Sequence, residues 1–473
     1  MADVENRETV IIGGGPGGYV AAIRAAELGQ QVTLIEKEYI GGVCLNVGCV
    51  PSKALIQAGH RMRHAENSEV YGIKTGNVSL DFTKTQEWKD KKIIDRMTNG
   101  VRGLLKKHKV EVIEGEAVLD SNTQLRVMPT GPKQFMTATE GRTIKFKNLI
   151  LATGSNPIEI KGFKFGGRVL SSTGLLNIKE IPEKLVIVGG GYIGTELAGA
   201  FTDLGSKVTI LEGTDKIIPN FERDMVNIVE KHLKAKGVQI VTSAMAKNAA
   251  DNGDSVDVTY EVDGKPTTMN ASYVMVAVGR RPNTSDFGLD MTDVELTDRG
   301  LVKTDEQGRT SVPNIFAIGD ITAGPALAHK AFAQGKVAAG AISGKNTAND
   351  YIGIPSVCFN DPEMASVGLT EDEAKEQGKA IKVAKFPFAA NARAVSVDSV
   401  DGFVKLIADK NTGTVLGGQV VGPNASDLIS ELSVVVNCQL NQEDVALTIH
   451  PHPTLGEPIQ EAADMLTGFP THI

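Results

Sequence analysis

Apolar positions along the chain fall into short β-rich runs followed by longer stretches of helical period. Thr9-Val10-Ile11-Ile12 predicts a buried strand. Residues 17–28 carry an apolar helical face closed by Gly29, and Gln31-Val32-Thr33-Leu34-Ile35 predicts a second buried strand ending at Glu36. Residues 184–212 repeat this order: the run Leu185-Val186-Ile187-Val188, a helix to Leu204, then Val208-Thr209-Ile210-Leu211 and Glu212. Leu151-Ala152-Thr153-Gly154-Ser155, Val276-Ala277-Val278-Gly279-Arg280 and Ile315 to Asp320 read as three more strand ends. A helix is predicted to begin near Leu327-Ala328-His329. Near the C-terminus, residues 403–408 predict an alternating strand and residues 426–439 a helix, while the polar residues 345–349 predict a linker. Strands alternating with helices imply an α/β fold.

The turns of the two repeats carry the chemistry. Gly13, Gly15 and Gly18 form G-x-G-x-x-G between strand and helix, and Gly189, Gly191 and Gly194 each lie 176 positions further on, as Glu212 does from Glu36. In such a turn the first glycine bends tightly, the second lets the backbone approach a pyrophosphate, and the third packs helix on strand. The diphosphate rests on the positive helix end, and the acid after the second strand binds ribose hydroxyls. Two units in register predict two adenine dinucleotides. Glu212, with no arginine following it, favours NAD over NADP, and a flavin is the economical partner for the first unit.

At 473 residues the chain has room for three or four domains at about 100–200 residues each. Its 49 basic and 57 acidic residues give a net charge of −8 without a basic block, which argues against a nucleic-acid partner. No uninterrupted apolar run approaches the roughly 20 residues of a membrane span. Residues 1–7 lack the pattern of a secretory signal, so a cytoplasmic location is expected. The four cysteines are too few for a disulfide scaffold. Cys358 and Cys438 are isolated, so no zinc or other metal site is expected.

The other two thiols, Cys44 and Cys49, stand five positions apart in Gly41-Gly42-Val43-Cys44-Leu45-Asn46-Val47-Gly48-Cys49-Val50-Pro51-Ser52-Lys53. A helix predicted to open at Pro51 and the nearby Lys53 would make an electropositive setting that favours thiolate at both positions. In His450-Pro451-His452-Pro453-Thr454-Leu455-Gly456-Glu457, a histidine five residues ahead of a glutamate can form an imidazole–carboxylate dyad.

The glycine unit, the CLNVGCVPSKAL segment, GGGYIGTE, AIGD, DPEMASVG and HPHPTLGE together resemble the pyridine nucleotide-disulfide oxidoreductases, flavoproteins with a redox-active cysteine pair, and most closely their lipoamide-oxidising branch. The resemblance implies two Rossmann-like dinucleotide-binding domains and a C-terminal α+β dimerisation domain. The expected division is an FAD domain over residues 1–149, an NAD domain over 150–282, a central region over 283–350 completing the FAD site, and an interface domain over 351–473.

It implies that FAD is bound by Gly13, Gly15, Gly18, Glu36, Lys53, Ala117, Ser155, Asp320 and the backbone of Leu327, Ala328 and His329. NAD would be bound by Gly189, Gly191, Gly194, Glu196, Glu212 and Gly279. Cys49 would face the flavin and Cys44 the substrate, with Lys53 paired to Glu196. Tyr192 would cover the flavin until nicotinamide displaces it, or else pack in the core. His452 would be the base and Glu457 its orienting partner, both supplied by the second subunit of a homodimer, with His450 the rival histidine. The implied reaction is oxidation of protein-bound dihydrolipoamide with reduction of NAD. Its partners would be lipoyl domains of 2-oxo acid dehydrogenase complexes or of the glycine cleavage system. Glutathione or mercuric-ion reduction is the alternative. Absence of basic residues near Glu212, and of a terminal cysteine pair, speaks against both.

Overall fold

The computed structural model describes residues 4–129 and 141–473; residues 1–3 of the N-terminal segment read above lie outside them. Both predicted repeats form. Strand Val4–Ile12, helix Pro16–Glu27 and strand Val32–Glu36 make the first. Lys184–Val188, Tyr192–Asp203 and Lys207–Leu211 make the second. The two strands pair in parallel with Thr9 opposite Val32 in one unit and Leu185 opposite Val208 in the other, so the 176-residue repeat also preserves hydrogen-bond register.

The first sheet runs Glu111–Glu114, Val32–Glu36, Val4–Ile12, Arg142–Leu151, Gln124–Met128, Glu116–Ser121, and Ile315–Ala317 joins it beside Arg142–Leu151. The AIGD segment thereby returns to the first unit across more than 150 residues of sequence. The second sheet is parallel, in the order Gln239–Val241, Lys207–Leu211, Lys184–Val188, Tyr273–Val276, Val169–Ser171. Beside it lies the three-stranded antiparallel sheet of Met245–Asp251, Val256–Val262 and Lys265–Ala271. Short strands Ser155–Pro157 and Arg280–Pro282 pair where the chain enters and leaves the second unit.

Residues 345–350 carry no regular structure, as the polar run predicted. A five-stranded antiparallel sheet follows, ordered Ser356–Cys358, Glu363–Gly368, Val415–Gly422, Phe403–Asp409, Ile381–Pro387. Helices Ala425–Asn437 and Glu457–Thr467 pack on one face through Ile429, Leu432, Ile459 and Ala463. Residues 403–408 do not alternate; all six are buried. Val404 and Leu406 face the two helices, while Phe403 joins the core of the second nucleotide unit, so this strand is covered on both sides.

Candidate active site

The glycines of the two turns meet the same steric constraints in both units. Gly13 and Gly189 take φ values of 106° and 105°, and a Cβ there would lie 2.2 and 2.6 Å from the carbonyl oxygens of Ala152 and Ala277. At Gly18 and Gly194 a Cβ would meet the carbonyl oxygens of Gly13 and Gly189 at 1.8 and 1.9 Å, so helix and strand touch through bare backbone. The middle glycines face open space: a Cβ at Gly15 would approach only Gly42 Cα, at 3.8 Å, and one at Gly191 nothing within 4 Å. That opening, at the N-terminus of a helix, fits a pyrophosphate in both units.

The two acids are held alike. Gly14 N–H donates to Glu36 Oε2 and Gly190 N–H to Glu212 Oε2, both at 2.6 Å. Glu36 Oε1 accepts from the amides of Glu38 and Tyr39, and Glu212 Oε1 from the amide and hydroxyl of Thr214.

A cavity of about 1380 Å³ opens from the first turn, lined among others by Gly13, Gly15, Glu36, Cys44, Cys49 and Lys53. Ser155, Tyr192, Glu196, Asp320 and Ala328 line its other walls. Beyond Gly13 and Glu36 it meets a second hollow of about 720 Å³ that Ala117 lines. The two hollows share Gly13, Glu36, Lys37, Thr153, Asn156 and Asn283 in their walls. Helix Ala328–Ile342 brings Ala328 and Ala331 of its first turn to the cavity wall, and the Leu327 amide is engaged by the Pro325 carbonyl. His329 turns its ring to the Pro355 carbonyl. Gly279, with φ 142°, accepts the Ile158 amide at the crossing between the sheets.

Cys44 lies in the short helix Gly42–Asn46 and Cys49 begins the next helix, Cys49–Glu66, so the turn at Val47 and Gly48 folds one thiol toward the other. Both are free thiols in the cavity wall. The Lys53 ammonium favours the thiolate at both positions, as the sequence predicts, but the two are not shifted alike. The neighbouring Cys49 and burial push the Cys44 thiol up. The neighbouring Cys44 and the Lys53 ammonium bring Cys49 down to about 7, against burial and the charge of Glu196.

Lys53 Nζ donates to Glu196 Oε2 at 2.6 Å, joining the first nucleotide unit to the second behind the thiols. Burial pulls the Lys53 ammonium down, but Glu196 outweighs it and the net shift is upward. Tyr192 is 39% exposed and belongs to the cavity wall, not to the core, and its burial under the wall holds the phenol up at about 12. Ser155 donates to Asp320 Oδ2 at 2.5 Å.

Arg280, which the sequence left unmarked, donates through Nε to Ser155 Oγ at 2.8 Å, and Asn283 also lines the cavity. The doublet Arg280-Arg281 directly after Gly279 was the only available signal.

The C-terminal run supplies two histidine–glutamate pairs. His452 Nδ1 lies 2.7 Å from Glu457 Oε1, and Glu457 Oε2 accepts the Thr454 amide, so the carboxylate is fixed and Nε2 points away from it. Glu457 is held below its ordinary value because the Thr454 amide and His452 outweigh its burial. The rival, His450, is tied through Nε2 to Glu431 and through Nδ1 to the Thr448 carbonyl, so both its nitrogens are engaged. Neither histidine lines the cavity.

A thiol pair between two dinucleotide cradles is the arrangement of an enzyme that moves electrons between a nicotinamide and a disulfide. The chain belongs to that class: residues 7–335 match the pyridine nucleotide-disulphide oxidoreductase family and residues 354–463 its dimerisation domain. FAD and NAD are the cofactors of this family.

Among curated proteins, the dihydrolipoyl dehydrogenases of Geobacillus stearothermophilus and Bacillus subtilis are each 55% identical over 467 residues, covering 98% of this chain and 97% of theirs. That of Halobacterium salinarum is 43% identical over 470 residues, with the same coverage. Among solved structures, LpdA of Mycobacterium tuberculosis superposes with a TM-score of 0.88 at 28% identity, over 97% of this chain and 99% of that one. The HOCl-induced flavoprotein disulfide reductase RclA of Escherichia coli gives 0.84 at 28% identity and the same coverage.

Proposed function

We propose that this chain is a dihydrolipoyl dehydrogenase that oxidises protein-bound dihydrolipoamide and reduces NAD, and that the unequal cysteine pair is its working part. The observation that carries this reading is the pair of free thiols Cys44 and Cys49 in the cavity wall, with Lys53 in the same wall paired to Glu196. In the disulfide form a substrate thiolate attacks Cys44 sulfur. The Cys44–Cys49 bond breaks and Cys49 leaves as the stabilised thiolate, because the sulfur with the lower pKa leaves faster. The second substrate thiol loses its proton to His452 and attacks the substrate sulfur now bonded to Cys44. Lipoamide forms with an internal disulfide, and Cys44 departs and takes the proton back from His452, which in this reading comes from the second subunit. Glu457 fixes the imidazole tautomer throughout.

FAD, where bound, would supply a two-electron acceptor for the dithiol and a hydride donor for NAD. Gly13, Gly15, Gly18, Glu36, Ala117, Ser155, Asp320 and the start of helix Ala328–Ile342 would hold it. Gly189, Gly191, Gly194, Glu212 and Gly279 would hold NAD. Tyr192, in the cavity wall, would cover the flavin until nicotinamide displaces it.

The same reading makes the protein a homodimer, a cytoplasmic partner of lipoyl domains. Leu447 and Ile449, 83% and 94% exposed, leave an apolar surface immediately before the dyad, suited to a second copy bringing His452 to Cys44.

Cys44→Ser should lose NAD-dependent dihydrolipoamide oxidation by roughly 10³-fold or more while keeping its FAD. Anaerobic NADH titration of the parent should develop a long-wavelength thiolate–flavin band at two electrons per chain. Parental turnover in Cys44→Ser, or passage of the parent straight to bleached flavin, would overturn the reading.

A further inference from the structure

The ion pair behind the thiols is completed by the C-terminal sheet. Strand Ser356–Cys358 ends against helix Tyr192–Asp203, and the next residue, Phe359, donates its amide to Glu196 Oε1 at 2.9 Å. Glu196 is 3% exposed, and its other oxygen is the one that holds Lys53. The Phe359 ring lies under the same ammonium, with Lys53 Nζ 4.5 Å from its centroid. One residue of the third unit therefore fixes the carboxylate through its backbone and covers the cation with its side chain.

The neighbours on either side are anchored too. Asn360 donates to Thr195 Oγ1 at 3.1 Å and to Cys358 Sγ at 3.0 Å, and Cys358 is fully buried. Phe359 is thus held in place by partners on the helix that carries Glu196. An aromatic face over a partly desolvated ammonium stabilises the cation where it lies.

We propose that Phe359 is a positioning residue for the redox pair, through which the C-terminal sheet holds the Lys53 ammonium at Cys49. The inference rests on the reading of Cys49 given above. The charged and titratable groups that face Cys49 are Cys44 across the turn, Lys53 on its own helix, and Glu196 and Tyr192 on the helix of the second unit. Among these Lys53 is the cation, so loosening it weakens the stabilisation of the thiolate.

The test uses FAD-loaded protein carrying Cys44→Ser, in which Cys49 is the one thiol of the pair. The pH midpoint of its long-wavelength thiolate–flavin band is measured, together with the pH dependence of Cys49 alkylation by iodoacetamide, read by mass spectrometry. Adding Phe359→Leu keeps the amide and removes the ring. It should raise both midpoints by about half a pH unit or more, and Phe359→Tyr should restore the starting value. Phe359→Met, which keeps the volume, is the second variant should leucine prevent folding, and it should also raise them. Unchanged or lowered midpoints in the ring-less variants overturn this inference alone. Absence of any titrating band in Cys44→Ser itself overturns the reading of Cys49 as well.

Discussion

Lys330 shows how one residue can carry a cost that its neighbours hide. It lies in the first turn of helix Ala328–Ile342 with only 1% of its surface exposed. Its Nζ donates to the carbonyls of Ala323 at 2.9 Å and Thr322 at 3.4 Å, pinning the loop that follows Asp320. Burial brings the ammonium from 10.5 down to about 8, although Asp320 pulls the other way. Below about pH 8 folded and unfolded chains both hold this proton, and the desolvation cost is present in full. Between about 8 and 10.5 the unfolded chain keeps it and the folded chain releases it, so this residue's contribution to stability rises with pH. Lys330→Met removes that gain. The stability difference between parent and variant, from denaturant unfolding at pH 7 and pH 10, should move in the parent's favour by up to roughly 3 kcal/mol. A difference independent of pH would mean that Lys330 keeps its ordinary, solvated proton affinity in the fold. The residues just before it were marked in the sequence as a helix start. Lys330 itself was not, because a lysine in a helical run reads as solvent-facing until the loop that covers it is known.

At the scale of elements, the strand–turn–helix units were the most legible part of the chain. Their glycines obey local sterics, and local sterics are written in adjacent residues. The paired short contacts at Gly18 and Gly194 give a matched test. Gly18→Ala must push helix from strand in the first unit and should release FAD, seen as loss of flavin absorbance after gel filtration. Gly194→Ala should retain FAD and weaken NADH binding by about 10–100-fold, the equivalent of the 1–3 kcal/mol typical of overpacking. Equal FAD content in both variants would break the assignment of one unit to each cofactor.

Other elements were less legible. The pattern gave a single helix after the cysteines, whereas Cys44 occupies its own short helix ahead of Cys49–Glu66. Five residues are too few for a periodic signal. Residues 403–408 were read as half-exposed, but their second face is covered by the nucleotide unit, a partner nearly 200 positions away in sequence.

The whole molecule is joined by buried charges that no local pattern announces. Lys405 is 3% exposed and its Nζ reaches Glu222, Asp224 and Glu371, tying the C-terminal sheet to helix Arg223–Ala235 of the second unit. Its acidic partners hold it up at about 12 despite burial. Asp401 receives both Lys231 and His232 of that helix, and Lys236 bridges Asp203 and Asp361. Removing one partner from such a cluster leaves charge uncompensated, so Lys405→Met should destabilise the protein by roughly 3–5 kcal/mol. Calorimetry should show the second unit melting apart from the C-terminal sheet; one unshifted transition would show that the cluster does not couple them. The cysteine pair, both nucleotide acids and the His452–Glu457 dyad were all readable because each sits inside a compact motif. Phe359, Arg280 and this charge cluster were not, because each acts on residues from another part of the chain.

The hydrogen bonds around Glu212 bear on how coenzyme preference could change by mutation. Its carboxylate fastens the Gly190 amide and both donors of Thr214, so one side chain holds two loops in shape before any coenzyme arrives. Exchanging it for a residue that welcomes a 2′-phosphate would also unfasten the cradle meant to receive the pyrophosphate. A route from one nicotinamide coenzyme to the other therefore has to rebuild the loop first. Single substitutions at Glu212 should therefore weaken coenzyme binding rather than exchange one coenzyme for the other.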